Sequence, residues 1–156
     1  MGRRYTVTFS GTSVVSAQDL FYLAAGSYSI ALRTVAFGCV GSGQSAVELL
    51  PMSIKRFTGG ITAGNSGAAI TPVRVDHTDT AASYTARVND TVRATTTSAV
   101  GVLAADAFNI VNGYYNQFEP LSAPRAPQNG ALIVGLDVNP VGTRLMSGYV
   151  IVEEMT

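Results

Sequence analysis

Tyr5-Thr6-Val7-Thr8-Phe9-Ser10 alternates large apolar side chains with small hydroxyl-bearing ones. Successive side chains of an extended chain point to opposite faces, so this segment predicts a strand that buries Tyr5, Val7 and Phe9. The same texture returns in Ile30 to Val40, Ser53 to Phe57 and Ile133 to Val138, and closes with Tyr149 to Val152. Turn-forming residues separate the runs: Gly11, Gly26-Ser27, Gly41-Ser-Gly43, Gly59-Gly60, Gly64 to Gly67, Asn89-Asp90, Asn112-Gly113, Asn129-Gly130 and Asn139-Pro140. Strands are predicted near 4–10, 29–40, 48–57, 70–76, 84–89, 92–97, 106–111, 131–138 and 145–154. Short strands at this spacing predict one all-β domain over residues 1–156, an antiparallel β-sandwich or jelly roll.

Two local readings refine the pattern. Asn89-Asp90, between two Thr- and Val-bearing arms, predicts a tight hairpin. Ser16 to Leu23 (SAQDLFYL) is the single helix candidate, because Ser16 with Asp19 resembles a capping box; its length allows about one turn.

At 156 residues the chain can bury roughly two thirds of its unfolded surface. Hydrophobic residues make up 47% and charged residues 13%, the latter about half the usual share. Thr, Ser, Gly and Asn must then supply the polar face. Such a surface costs little to desolvate against another protein, and it also suits a neutral monomer. Ten cations balance ten anions, which argues against a nucleic-acid partner, whose affinity comes from clustered positive charge. Nine of the cations are Arg, the residue better suited to planar contacts at protein interfaces.

Cys39 is the lone cysteine, so no internal disulfide can form, and within Val35 to Val40 it reads as a small buried hydrophobe. Met-Gly-Arg-Arg runs straight into a strand without an apolar stretch, so no export signal is expected. No window holds 18 uninterrupted apolar residues, which argues against a membrane-spanning helix.

Reactive chemistry is sparse. The single histidine lies in Asp76-His77-Thr78-Asp79, which lacks the glycine and third carboxylate of a calcium loop and reads as a polar connection. Asp137 and Asn139 share one face of a strand end and are discounted likewise. No GxSxG elbow, phosphate-binding glycine loop or CxxC pair is present. Glu48, Glu119, Glu153 and Glu154 each fit a strand edge or loop. The expectation is a protein without catalytic activity, cofactor or metal.

Two stretches depart from the strand pattern. Gly59 to Ala69 (GGITAGNSGAA) reads as a long, exposed, small-residue loop. Tyr114 to Asn129 sets Tyr114, Tyr115 and Phe118 beside Pro120, Pro124 and Pro127, so it is extended but no central strand. It is open to three readings: a loop pinned by its own aromatics, a subunit contact, or a ligand platform. As a platform for sugars it would use Tyr114, Tyr115 and Phe118, although the absence of Trp counts against that use.

Four segments carry a resemblance: Tyr5-Thr-Val-Thr-Phe-Ser-Gly11, Ala17-Gln-Asp-Leu-Phe21, Glu48-Leu-Leu-Pro-Met-Ser-Ile-Lys-Arg56 and Gly148-Tyr-Val-Ile-Val-Glu-Glu154. Together they resemble small virion-associated proteins of tailed bacteriophages. The resemblance implies a jelly roll or related sandwich on the outer capsid surface, a cement or decoration protein that clamps major capsid subunits, often as a trimer. It fits tail, collar or fibre components as well, since phages reuse the sandwich throughout the particle. On this reading Gly59, Gly60 and Asn65 in the first stretch, and Tyr114, Tyr115, Phe118, Pro120, Pro124 and Arg125 in the second, contact neighbours.

Overall fold

The computed structural model describes residues 2–40 and 47–155. The expected turn at Gly41-Ser-Gly43 lies outside them. Fourteen strands and no helix appear among the described residues. In chain order they are β1 (Arg3–Val14), β2 (Asp19–Ala24), β3 (Ser29–Cys39), β4 (Leu49–Phe57), β5 (Ile61–Thr62), β6 (Ala68–Ile70) and β7 (Val73–Arg74). There follow β8 (Thr85–Asp90), β9 (Thr95–Thr96), β10 (Gly101–Asn109), β11 (Tyr114–Gln117), β12 (Arg125–Ala126), β13 (Ala131–Leu136) and β14 (Arg144–Met155).

Two antiparallel sheets face each other as a β-sandwich. Sheet A has the order β11-β3-β14-β1-β7, with β12 also pairing β3; sheet B has the order β10-β4-β13-β2-β8-β6. Tyr5, Val7 and Phe9 are buried as their alternation requires, and they meet Leu23, Leu132 and Val134 of sheet B in one continuous core. Aromatic pairs tie the sheets together: Phe9 to Phe21, tilted, at 5.2 Å and Phe37 to Phe108, edge-on, at 4.9 Å between ring centres.

Sheet B carries an apolar patch on its outer face too, and here the chain folds back over itself. Tyr22, Phe57, Ala131 and Ile133 form a second, smaller core, capped by Ile61 and Ala94. The cap is a two-stranded ribbon of β5 and β9. Gly59 to Ala69 is therefore no free loop: it contributes β5 and β6, the latter paired with β8. The apolar patch under the ribbon accounts for its cover.

Four further expectations change. Ser16 to Leu23 holds no helical turn; Asp19 to Ala24 is the interior strand β2, buried over its first five residues. A strand covered on both sides shows no alternation, so its run reads like a short buried helix. Asn89 does take the left-handed conformation expected of turn asparagine (φ 57°), yet β8 and β9 do not pair. Asn89 and Asp90 are buried, and β9 pairs with β5 instead. Finally, the single strand expected at 70–76 is divided between β6 and β7, on different sheets, with Pro72 between them. Cys39 is half-buried rather than enclosed.

Candidate functional site

Most charged side chains serve the sandwich itself. Arg3 pairs with Glu154, Arg33 with Glu153, Lys55 with Asp137, Arg87 with Asp90, Arg93 with Asp19 and Asp137, and Arg144 with Glu48. Six of the ten cations are thus spent on internal ion pairs. Among the described residues no three His, Cys, Asp or Glu side chains converge to hold a metal ion. His77 is exposed, and the Asp76 carboxylate accepts the Thr78 N–H at 2.9 Å and its hydroxyl at 2.8 Å. Those two hydrogen bonds hold the Asp76 carboxyl below its ordinary value.

One charged cluster holds the ribbon over sheet B. Asp19 accepts Arg93 Nε at 3.0 Å and the Ala94 N–H at 2.7 Å. Asp137 accepts Ser53 Oγ at 3.0 Å, Lys55 Nζ at 3.1 Å and Arg93 Nη2 at 3.3 Å. Gly135 lets Arg93 pass, since a Cβ there would lie 2.7 Å from Arg93 Nη2. Burial pushes the Asp19 carboxyl up, and its Ala94 and Arg93 hydrogen bonds only partly offset that. Burial also acts on Asp137, but Ser53, Lys55 and Arg93 outweigh it and hold that carboxyl low.

The two acids therefore respond oppositely to pH. The contribution of Asp19 to stability is full below the ordinary aspartate value and is lost as pH rises through its raised one. That of Asp137 is present above the ordinary value and is lost as pH falls through its depressed one. Replacing Asp19 with Ala should free the ribbon while leaving the main core folded. Hydrogen exchange at Ala94, Thr95 and Thr96 should quicken by at least about tenfold, with β3 and β14 unchanged. Unchanged protection at Ala94 would mean that apolar contact alone holds the cover.

The sequence-predicted contact residues fall on different sheets. Gly59, Gly60 and Asn65 belong to the cover of sheet B. Gly60 has φ 57°, and a Cβ there would strike the Thr97 side chain. Asn65 bridges to Val92 through two backbone hydrogen bonds of 3.0 and 3.2 Å. These are turn and bridge positions with a local structural duty. The second group lies along the β3 edge of sheet A. Tyr114 turns inward and stacks on Phe37 at 5.2 Å, and Phe118 packs against the core. Tyr114, Tyr115 and Phe118 thus form no common platform; Tyr115 alone is open, 65% exposed.

Between β11 and β12 the chain makes a braced loop. Arg125 Nη2 donates to the Pro120 carbonyl at 2.7 Å, and the Ser122 N–H donates to the Glu119 carbonyl at 3.1 Å. Pro124 is buried at its base while Pro120 is exposed. At the tip Leu121 is 95% exposed.

A groove crosses the outer face of sheet A. The register aligns Tyr115, Ala36, Tyr149 and Thr8 in one row over four adjacent strands. Their common face is the outer one, since Val7, Val150 and Phe37 beside them are buried. The two tyrosines flank the small Ala36 side chain, with Cα atoms about 10 Å apart at two strand spacings. The turn at Val111, Asn112 and Gly113 closes one end. Gly113 Cα lies 3.3 Å from where a Gly38 Cβ would stand. The groove is shallow and largely open to solvent, with a volume of about 530 Å³, and none of its lining residues is an acid, Lys, Arg or His.

No family model, no curated protein and no solved structure matches this chain. Function must therefore be argued from its own surface.

Tyr149 and Ala36 have no motif that marks them. Each looks like an ordinary strand residue until the register of β11, β3 and β14 puts them in one row.

Proposed function

We propose that this chain is a structural protein of a tailed-phage virion, a decoration or cement subunit that bridges and stabilises major capsid proteins on the outer surface of the head. The observation that carries this reading is the braced loop that holds Leu121 in water. A lone exposed leucine is ordinary. A leucine held out by a proline-bounded loop, stiffened by an arginine–carbonyl hydrogen bond, has paid its ordering cost before contact, which favours its use as an anchor.

The rest of the surface agrees with that use. With most cations spent on internal pairs, neighbours meet a face of hydroxyls, glycines and scattered valines, cheap to desolvate. The long strand β10 borders sheet B with Val102 58% exposed, and burying such an edge in an assembly would protect it. Accessible surface is 7435 Å², against about 7,450 Å² for an average monomer of this mass. The subunit finishes its own core, so a homotrimer would assemble from folded copies.

The jelly-roll assignment belongs to the same proposal. It is supported by the order β1-β14-β3-β11 facing β2-β13-β4-β10, with β5 to β9 as an insertion between β4 and β10. In that framework every connection outside the insertion passes from one sheet to the other.

The test is copy number per purified virion, by quantitative mass spectrometry against the major capsid protein. A sizeable fraction of one supports a place on the head lattice. A ratio equal to that of tail proteins moves the chain to a tail, collar or fibre role. Absence from the particle overturns the structural reading.

A further inference from the structure

We propose that the outer groove of sheet A binds the ring of a neutral saccharide between Tyr115 and Tyr149. This inference is independent of where the subunit is mounted, since neither the braced loop nor the β10 edge lines the groove.

Three features specify the ligand. The first is shape. Ala36 between two tyrosines leaves a slot about two strand spacings wide, open above and stopped at the Asn112 turn. A pyranose has two C–H faces that pack against aromatic rings, and Tyr offers an apolar ring with a polar tip. Tyr115 and Tyr149 remain 65% and 37% exposed, so both rings are free to be covered.

The second feature is charge. With neither carboxylate nor cation in the lining, nothing there would orient a phosphate, a uronic acid or an ammonium group. Burial pushes the Cys39 thiol up and keeps it neutral as well. At about 530 Å³ the groove falls within the ordinary range of small-ligand sites.

The third feature separates a sugar from a protein side chain. Thr8, Ser10, Ser147 and Asn112 line the slot with hydroxyls and an amide. Ser147 Oγ accepts the Gly11 N–H at 2.9 Å, which fixes its oxygen, and its 3.5 Å separation from Ser10 Oγ is too long for a strong bond. Its proton is thus available to a ligand acceptor. A proline or aromatic side chain pressed into the slot would cover these polar groups without satisfying them, which is costly. The hydroxyls of a sugar match them.

Titration of isotope-labelled protein with glucose, galactose and N-acetylglucosamine, each alone, followed by amide chemical shifts, tests the proposal. Saturable shifts centred on Ala36, Gly38, Ser147 and Tyr149 are expected with at least one of the three. An open site of this size should give a Kd in the millimolar range, about 1 mM or weaker. Tyr115→Ala and Tyr149→Ala should each weaken that binding at least about tenfold, whereas Tyr149→Phe should stay within about threefold. Unchanged shifts over sheet B would show that the variants fold. Absence of saturable shifts with all three sugars overturns the proposal, as does binding that survives both alanine variants. Equal or tighter binding of glucuronic acid would refute the neutral class, and a proline-rich peptide binding in the slot where the sugars do not would identify a protein site.

Discussion

Replacing Glu154 with Ala should destabilise the protein by about 3–5 kcal/mol, the largest single-residue loss expected outside the apolar core. Glu154 lies on β14 with no exposed surface. One oxygen accepts the Ser83 N–H at 2.6 Å, the Ser83 hydroxyl at 2.7 Å and the Tyr84 N–H at 3.2 Å, while the other faces Arg3 Nη2 at 3.2 Å. Alanine leaves three donors without their acceptor, two of them main-chain groups that cannot turn away. Gln keeps the volume and one acceptor oxygen, so Glu154→Gln should lose about half as much. Urea unfolding at pH 7 measures both: the midpoint should fall with the slope unchanged, and the melting temperature should drop by roughly 10 °C for Ala. A shift under about 1 kcal/mol for Ala would mean that water replaces the carboxylate without loss.

On the decoration-protein function proposed above, Leu121→Asp should leave the fold alone and abolish incorporation into the particle. The side chain is almost wholly in water, so the stability change should stay within about 0.5 kcal/mol. At the centre of a protein contact the same change buries an unpaired charge and removes an apolar anchor. Offered to particles lacking this protein, the purified variant should bind at less than about one tenth of the wild-type copy number. Wild-type occupancy would show that the braced loop faces away from the lattice.

The sandwich was legible wherever one face of a strand meets water. YTVTFS in β1 and the final strand β14 have one wet face, and their alternation survives in sequence. β2 lies in the interior of sheet B beneath the folded-back ribbon and loses its alternation, which is why Ser16 to Leu23 offers a one-turn helix candidate in sequence. Asn89 takes a positive φ, yet the tight hairpin expected at Asn89-Asp90 does not form: β9 pairs with β5 over the apolar patch on the outer face of sheet B.

The candidate sites divide along similar lines. Tyr115, Pro120, Pro124 and Arg125 stand in one stretch whose composition marks it. The inward turn of Tyr114 and Phe118 depends on Phe37 and the core, partners distant in sequence. Tyr149 joins Tyr115 only through a register spanning three strands, and a shift of one residue would put it on the opposite face.

The position of β14 between β1 and β3 has a temporal side. Among the described residues sheet A has no direct β1–β3 pairing, so its two parts stay separate until β14, which follows both in the chain, has been synthesised. Until then Tyr5, Val7 and Phe9 on β1 lack their hydrogen-bonded neighbour, and Ser83 and Tyr84 lack the Glu154 carboxylate. Pairings this distant in sequence form slowly and close together. Completion of the sheet therefore waits on β14: a copy broken off before that strand leaves β1 and β3 unjoined.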